Sequence, residues 1–116
     1  FVVPDLDIAK EGQRRWAEVK TKAGATYTRI TKQLEHGIPL AHFNDYLQIE
    51  KITGCEVWLF IYEEDTQCVL SGRLKDLARS KRIYGGNKMS CGGMIFFPRI
   101  AFKSFSHLSN FSKYRG

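Results

Sequence analysis

The stretch RRWAEVKTK, Arg14 to Lys22, alternates polar and apolar side chains, as a β-strand with one buried face does. A second alternating stretch, FVVPDLDIA, precedes it, and the intervening KEGQ has the composition of a tight turn. Together they predict a β-hairpin with Glu11 and Gly12 as its two-residue turn. The pairing of this hairpin determines which polar side chains of its two strands lie opposite each other.

The predicted register gathers acidic side chains on one face of the hairpin. Asp5 would lie opposite Glu18 and Asp7 opposite Trp16, and residues two apart on a strand share a face, so Lys20 joins them. Facing carboxylates repel unless a cation lies between them, and oxygen ligands suit Mg²⁺ or Mn²⁺. The pattern therefore predicts metal-dependent phosphodiester hydrolysis, in which Lys20 assists the attacking water by orienting it or stabilises the charge that develops on the phosphate. A solvated face of weak ion pairs is the alternative interpretation.

Glu-x-Lys alone is a weak motif, because about one such match is expected by chance in a chain of this composition. Its position opposite Pro4-Asp5 adds the weight. Pro4-Asp5 and Glu18-Val19-Lys20 resemble the two motif elements of the PD-(D/E)xK, or restriction-endonuclease-like, nuclease superfamily. Roughly residues 3–63 are similar to small nuclease-like proteins of phage and bacterial origin, in which a His/Tyr-bearing helix, Thr-Gly and an apolar strand follow the motif.

The resemblance implies a single α/β domain over residues 1–116, with a central mixed β-sheet flanked by helices. It implies metal ligation by the Asp5 and Glu18 carboxylates and the Val19 carbonyl, with Lys20 as the catalytic lysine. It also implies a further polar residue on the next helix. Tyr46 is the residue we assign to the catalytic set, although Gln48 and His42 remain open.

Relatives of this kind often carry another glutamate on a helix before the PD strand, and often act as homodimers. The chain begins at Phe1 rather than Met. We therefore expect either a missing N-terminal helix or a site without that ligand. We also expect a homodimer, because two cuts need two sites.

The rest of the chain supports a mixed sheet. AHFNDYLQIEKITG has helical spacing and ends in a glycine, and EVWLFIY reads as a fully buried strand. A strand, a helix and a buried strand predict a parallel strand pair. The preceding AGATYTRITKQLEHGIPL is polar and reads as a long surface loop. The last apolar stretch, MIFFPRIAF, predicts a strand that Pro98 either ends or places at a sheet edge.

Basic residues point to nucleic acid. The chain has 18 Lys and Arg against 12 Asp and Glu, a formal net charge of +6, which favours an anionic partner. Within and beside the predicted loop, cations mix with an aromatic ring, which suits phosphate contacts and base stacking, and the candidate nucleic-acid-binding residues are Lys22, Tyr27, Arg29 and Lys32. RLKDLARSKRI predicts a short helix with a basic exterior.

The sequence thus predicts a Mg²⁺- or Mn²⁺-dependent nuclease acting on DNA. A non-catalytic nucleic-acid-binding module on the same fold, a Holliday-junction resolvase and an RNase are the alternatives. We expect no membrane span, because no apolar run is long enough. We expect a cytoplasmic protein, because the three cysteines are widely spaced and form no CxxC pair.

Overall fold

The computed structural model describes residues 6–10, 13–85 and 92–105, and for residues 6–10 and 13 it describes the backbone alone. These ranges contain nine strands in two sheets, two α-helices and two single 3-10 turns. The strands are β1 (Leu6–Lys10), β2 (Gln13–Lys22), β3 (Thr26–Thr28), β4 (Gln33–Pro39), β5 (Glu56–Glu63), β6 (Cys68–Arg73), β7 (Arg82–Tyr84), β8 (Met94–Pro98) and β9 (Lys103–Phe105). The helices are α1 (Leu40–Thr53) and α2 (Leu74–Leu77), and the 3-10 turns are Ala78–Ser80 and Arg99–Ala101.

The first hairpin has the predicted register. β1 and β2 are antiparallel, with Asp7 opposite Trp16 and Lys10 opposite Gln13. The two predicted turn residues lie outside the described ranges, as does Asp5. The register confirms the alternation argument for the described part of the hairpin.

The predicted parallel strand pair is confirmed. β2 and β5 lie side by side and run parallel, and α1 lies between them in the chain. Gly54, with φ +70°, ends α1 in the left-handed conformation that glycine adopts at little cost. The first sheet has the order β1-β2-β5-β6-β9 and is mixed, because the other three pairs are antiparallel.

The prediction that β5 is buried on both faces is wrong. Val57, Leu59 and Ile61 are buried on the inner face, whereas Trp58 and Phe60 on the outer face are only half-buried. The outer rings stack on each other at 6.5 Å between centroids. Large aromatic side chains therefore make both faces read as apolar, although only one of them lies in the core.

The prediction of a long surface loop before α1 is also wrong. That segment contains β3 and β4, which open a second, antiparallel sheet of order β3-β4-β8-β7. β4 reads as polar because it carries Glu35 and His36, yet both are buried and hydrogen-bonded. Buried polar groups with partners are tolerated in a strand, and composition alone does not reveal those partners.

The core joins both sheets to the helices. It is built from buried apolar side chains of β4, β5, β6, β8, α1 and α2 and from Phe102, which follows the 3-10 turn Arg99–Ala101. The side chains from the six elements are Ile38, Phe43, Tyr46, Val57, Leu59, Ile61, Leu70, Leu74, Leu77, Ile95 and Phe97. The α/β class is therefore confirmed. The described chain has two packed sheets where we expected one central sheet flanked by helices.

The second half of the chain follows its predicted elements in part. α2 and the 3-10 turn after it form the predicted basic helix, but Arg82 belongs to β7 and pairs with Glu35. β8 ends at Pro98 as predicted, and β9, which follows it in the chain, is an edge strand of the first sheet.

Among the described residues, no helix has both the length and the apolar character to cross a membrane.

Candidate active site

Glu18 and Lys20 project from the inner face of the first sheet. In the parallel pair, Glu18 lies beside Leu59 and Lys20 beside Ile61, and both partners are fully buried. Glu18 is only 4% exposed. Its Oε1 lies 3.1 Å from the Lys20 Nζ, so the structure brings together two of the predicted catalytic residues.

The pair lies where the core meets solvent. A buried carboxylate is costly unless a partner offsets its desolvation, and the Lys20 ammonium does so here. The Lys20 side chain keeps 27% of its surface exposed. An ammonium held by a carboxylate and still open to water can contact an incoming anionic group without a large rearrangement.

The donor atoms suit a hard divalent cation. The Val19 side chain is exposed on the opposite face, so its predicted role concerns the backbone carbonyl alone. Asp5 lies outside the described residues, and within those residues no three His, Cys, Asp or Glu side chains converge on a metal position. Mg²⁺ commonly takes one or two protein carboxylates and completes its shell with water and substrate phosphate. Glu18 therefore fits as one ligand of such an ion.

Tyr46 lies in the core rather than on an open surface. It is almost fully buried on α1, and its ring centroid is 6.2 Å from that of His42, one turn earlier. Gln48 is exposed. The His42 Nδ1 is buried and has no hydrogen-bond partner among the described residues, which marks it as a polar atom in need of a ligand or water.

Lys22 continues the line of Glu18 and Lys20 along β2. It lies beside Glu63 in the parallel pair and lines a cavity of about 160 Å³ with Gly24, Thr26 and Phe96 among its walls. Lys32 is exposed, and its φ of 56° places it in the turn before β4. Of these two predicted phosphate contacts, Lys22 is the one that the fold aligns with the active-site pair.

Tyr27 and Arg29 are among the residues that line an open groove of about 330 Å³ at the second sheet. The β3–β4 register puts the Tyr27 side chain on the sheet face opposite Thr26 and Thr28. We call it the aromatic groove, and its lining residues are Thr26, Tyr27, Thr28, Arg29, Ile30, Arg82, Tyr84 and Phe96. The predicted loop residues thus meet residues of β7 and β8 that the sequence did not single out. Only the alternation in Arg82-Ile83-Tyr84 could have indicated that Arg82 and Tyr84 share a face.

A buried carboxylate beside the aromatic groove, Glu35, binds the groove residue Arg82. Glu35 accepts hydrogen bonds from Arg82 Nη2 at 2.7 Å and Thr28 Oγ1 at 2.6 Å. The Arg82 guanidinium lies 4.6 Å from the Phe96 ring centroid. Burial alone would raise the pKa of Glu35, but these hydrogen bonds and the arginine charge outweigh it and lower the pKa.

A second buried carboxylate, Glu63, was missed by the sequence analysis. Its oxygens accept hydrogen bonds from Arg99 at 2.7 and 2.9 Å and from Thr66 Oγ1 at 2.6 Å, and Oε2 lies 2.5 Å from His36 Nε2. We call these four residues the Glu63 cluster. Burial raises the pKa of Glu63, but the hydrogen bonds and the Arg99 charge lower it to about 2. Because all its oxygens are occupied, this cluster is a structural element rather than a reactive one.

Comparison with known proteins found no match to the chain among protein-family models, curated protein sequences or solved structures.

Proposed function

We propose that the protein is a divalent-metal-dependent nuclease that hydrolyses DNA phosphodiester bonds. The observation that carries the proposal is the buried Glu18 carboxylate 3.1 Å from a partly exposed Lys20 ammonium, on the strand that pairs with β1 in the predicted register. The resemblance of this hairpin to the PD-(D/E)xK motif supplies the expected chemistry. A basic chain, with net charge +6, suits an anionic substrate.

In this proposal each residue has a stated role. Glu18 and the Val19 carbonyl bind Mg²⁺ or Mn²⁺ together with Asp5. The bound metal supplies Lewis acidity towards the phosphate and activates a water. Lys20 donates to the phosphate oxygens and stabilises the charge that develops there. Tyr46 supports the site from α1, and Lys22 contacts the phosphate backbone.

The experiment is a cleavage assay on supercoiled, linear and branched DNA and on RNA, with Mg²⁺, Mn²⁺ or EDTA. We expect cleavage only with metal, and loss of cleavage in Glu18→Gln and Lys20→Met. Two matched controls lie away from the site. Glu56→Gln changes a partly exposed carboxylate on the outer face of the first sheet, and Lys51→Met changes an exposed lysine near the end of α1.

Two results would contradict the proposal. Cleavage that survives both active-site substitutions would place the chemistry elsewhere. Binding of DNA by the wild-type protein without cleavage under any metal condition would favour the non-catalytic nucleic-acid-binding module. The substrate with the highest rate separates a nuclease acting on plain DNA from a resolvase or an RNase.

A further inference from the structure

We propose that the aromatic groove binds unpaired bases of single-stranded DNA, and that such a strand is the substrate presented to Glu18 and Lys20. This inference deepens the proposed function and rests on it for the step from binding to cleavage. The binding part follows from the groove itself. Tyr84, which is 55% exposed, and Phe96 line it from the same sheet face as Arg82. Tyr27 belongs to its lining through the edge strand β3, but its side chain projects from the opposite face.

The chemistry of the groove suits a polyanion with flat apolar faces. Its lining has two arginines, the aromatic side chains of Tyr84 and Phe96 on the groove face, and no acidic residue. The nearest carboxylate, Glu35, is 2% exposed and paired with Arg82, so its charge is not presented to a ligand. Aromatic rings next to cations are the recurrent combination for binding single strands, because every base offers a π face to stack on.

Arg82 is positioned before any ligand arrives. Its Nε and Nη2 atoms bond to Glu35, and its plane covers Phe96. Among the described residues Nη1 makes no hydrogen bond, so it retains donors for a phosphate oxygen. A side chain already fixed by a buried carboxylate loses little conformational entropy on binding.

The exposed Tyr84 ring favours a single strand over a duplex. In a duplex the faces of the bases are stacked on one another and cannot reach Tyr84. A duplex would therefore engage only the arginines of the groove, through its phosphates. Single-stranded DNA would engage both the rings and the cations.

The groove is continuous with the active-site strand. Thr26 and Phe96 line both the groove and the cavity that contains Lys22. Lys22 follows Lys20 on the same face of β2, and four strand residues from Glu18 to Lys22 span about 13 Å. A strand whose bases stack in the groove thus has a basic path along Lys22 towards Glu18.

The test is equilibrium binding of the full chain to a fluorescent oligothymidylate and to a duplex, both in EDTA so that no cleavage occurs. We expect Tyr84→Ala to weaken single-strand binding about fivefold or more. Tyr84→Phe, which keeps the ring, and Ile100→Ala, at an 85% exposed position elsewhere, should leave it unchanged. Arg29→Gln should weaken binding to both DNAs and reduce the salt dependence by about 0.7 in slope for the single strand.

Unchanged single-strand affinity in Tyr84→Ala would overturn the inference, as would an equal loss of duplex affinity in that variant. Absence of single-strand binding by the wild-type protein would also overturn it. Failure of the proposed function is distinguishable. If tyrosine-dependent binding occurs but Glu18→Gln does not alter any metal-dependent cleavage, the groove stands and the catalytic assignment falls.

Discussion

His36 Nε2 lies 2.5 Å from Glu63 Oε2, and this contact joins the second sheet to the end of β5 in the first. Both side chains are almost inaccessible, at 3% and 1% exposure. Arg99, from the 3-10 turn after β8, binds the same carboxylate with two nitrogens. The Glu63 cluster therefore links the two sheets to each other where β5 ends.

Replacing Glu63 should test that coupling. In Glu63→Gln the carboxylate charge is lost and Arg99 is left without its ion-pair partner, so we expect the free energy of unfolding to fall by about 3 kcal/mol or more. Urea unfolding followed by circular dichroism measures this. Glu64→Gln, at the neighbouring exposed position, is the control and should change little. Equal stability of the two variants would show that the cluster contributes nothing.

The same carboxylate predicts the response to acid. Its pKa is lowered from 4.5 to about 2 in the folded state, because Arg99, Thr66 and His36 outweigh the cost of burial. A lowered pKa gives stability that is complete above the unfolded value and is lost as the pH falls towards the folded value. The stability difference between wild type and Glu63→Gln should therefore shrink between pH 4.5 and about pH 2. A difference that stays constant over this range would contradict the assignment.

Metal binding at Glu18 predicts a thermal shift that does not depend on catalysis. A ligand that binds only the folded state stabilises it, by about 2.7 kcal/mol when free Mg²⁺ is about 100-fold above its dissociation constant. We expect Mg²⁺ to raise the melting temperature of the wild-type protein and of Glu56→Gln, but not that of Glu18→Gln. An equal rise in all three would place any metal site away from Glu18.

The sequence predicted local order well where periodicity alone determines it. The alternation in β2 gave the hairpin register, and the spacing of Phe43, Tyr46 and Ile49 together with Gly54 gave α1 and its end. The same alternation puts the Glu18 and Lys20 side chains on one face of β2, so this part of the candidate site was predictable.

The second sheet and the aromatic groove were not predictable in that way. β4 contains buried Glu35 and His36, whose partners Arg82 and Glu63 lie 47 and 27 residues away in the chain. Polar composition indicates a loop unless those distant partners are known. The groove depends on the same pairing, because β4 and β7 lie on either side of β8.

Gly37 and Phe96 offer a last test, in which the substituted residue is a neighbour of the groove lining rather than part of it. They are opposite each other in the β4–β8 pair, and a Cβ on Gly37 would lie 2.6 Å from the Phe96 Cε1. Gly37→Ala should therefore displace the ring that Arg82 covers, and weaken oligothymidylate binding without replacing any residue that lines the groove. The measurement is the affinity in EDTA at a temperature where the variant is folded.

Gly72→Ala is the matched control for this substitution. Its Cβ would lie 2.7 Å from Leu77 Cδ2, in the core and away from the groove. Such overpacking should cost about 1–3 kcal/mol of stability while leaving the affinity of the folded protein unchanged. If the two alanine variants lowered affinity equally, the loss would reflect general destabilisation, and the Phe96 ring would have no specific part in binding.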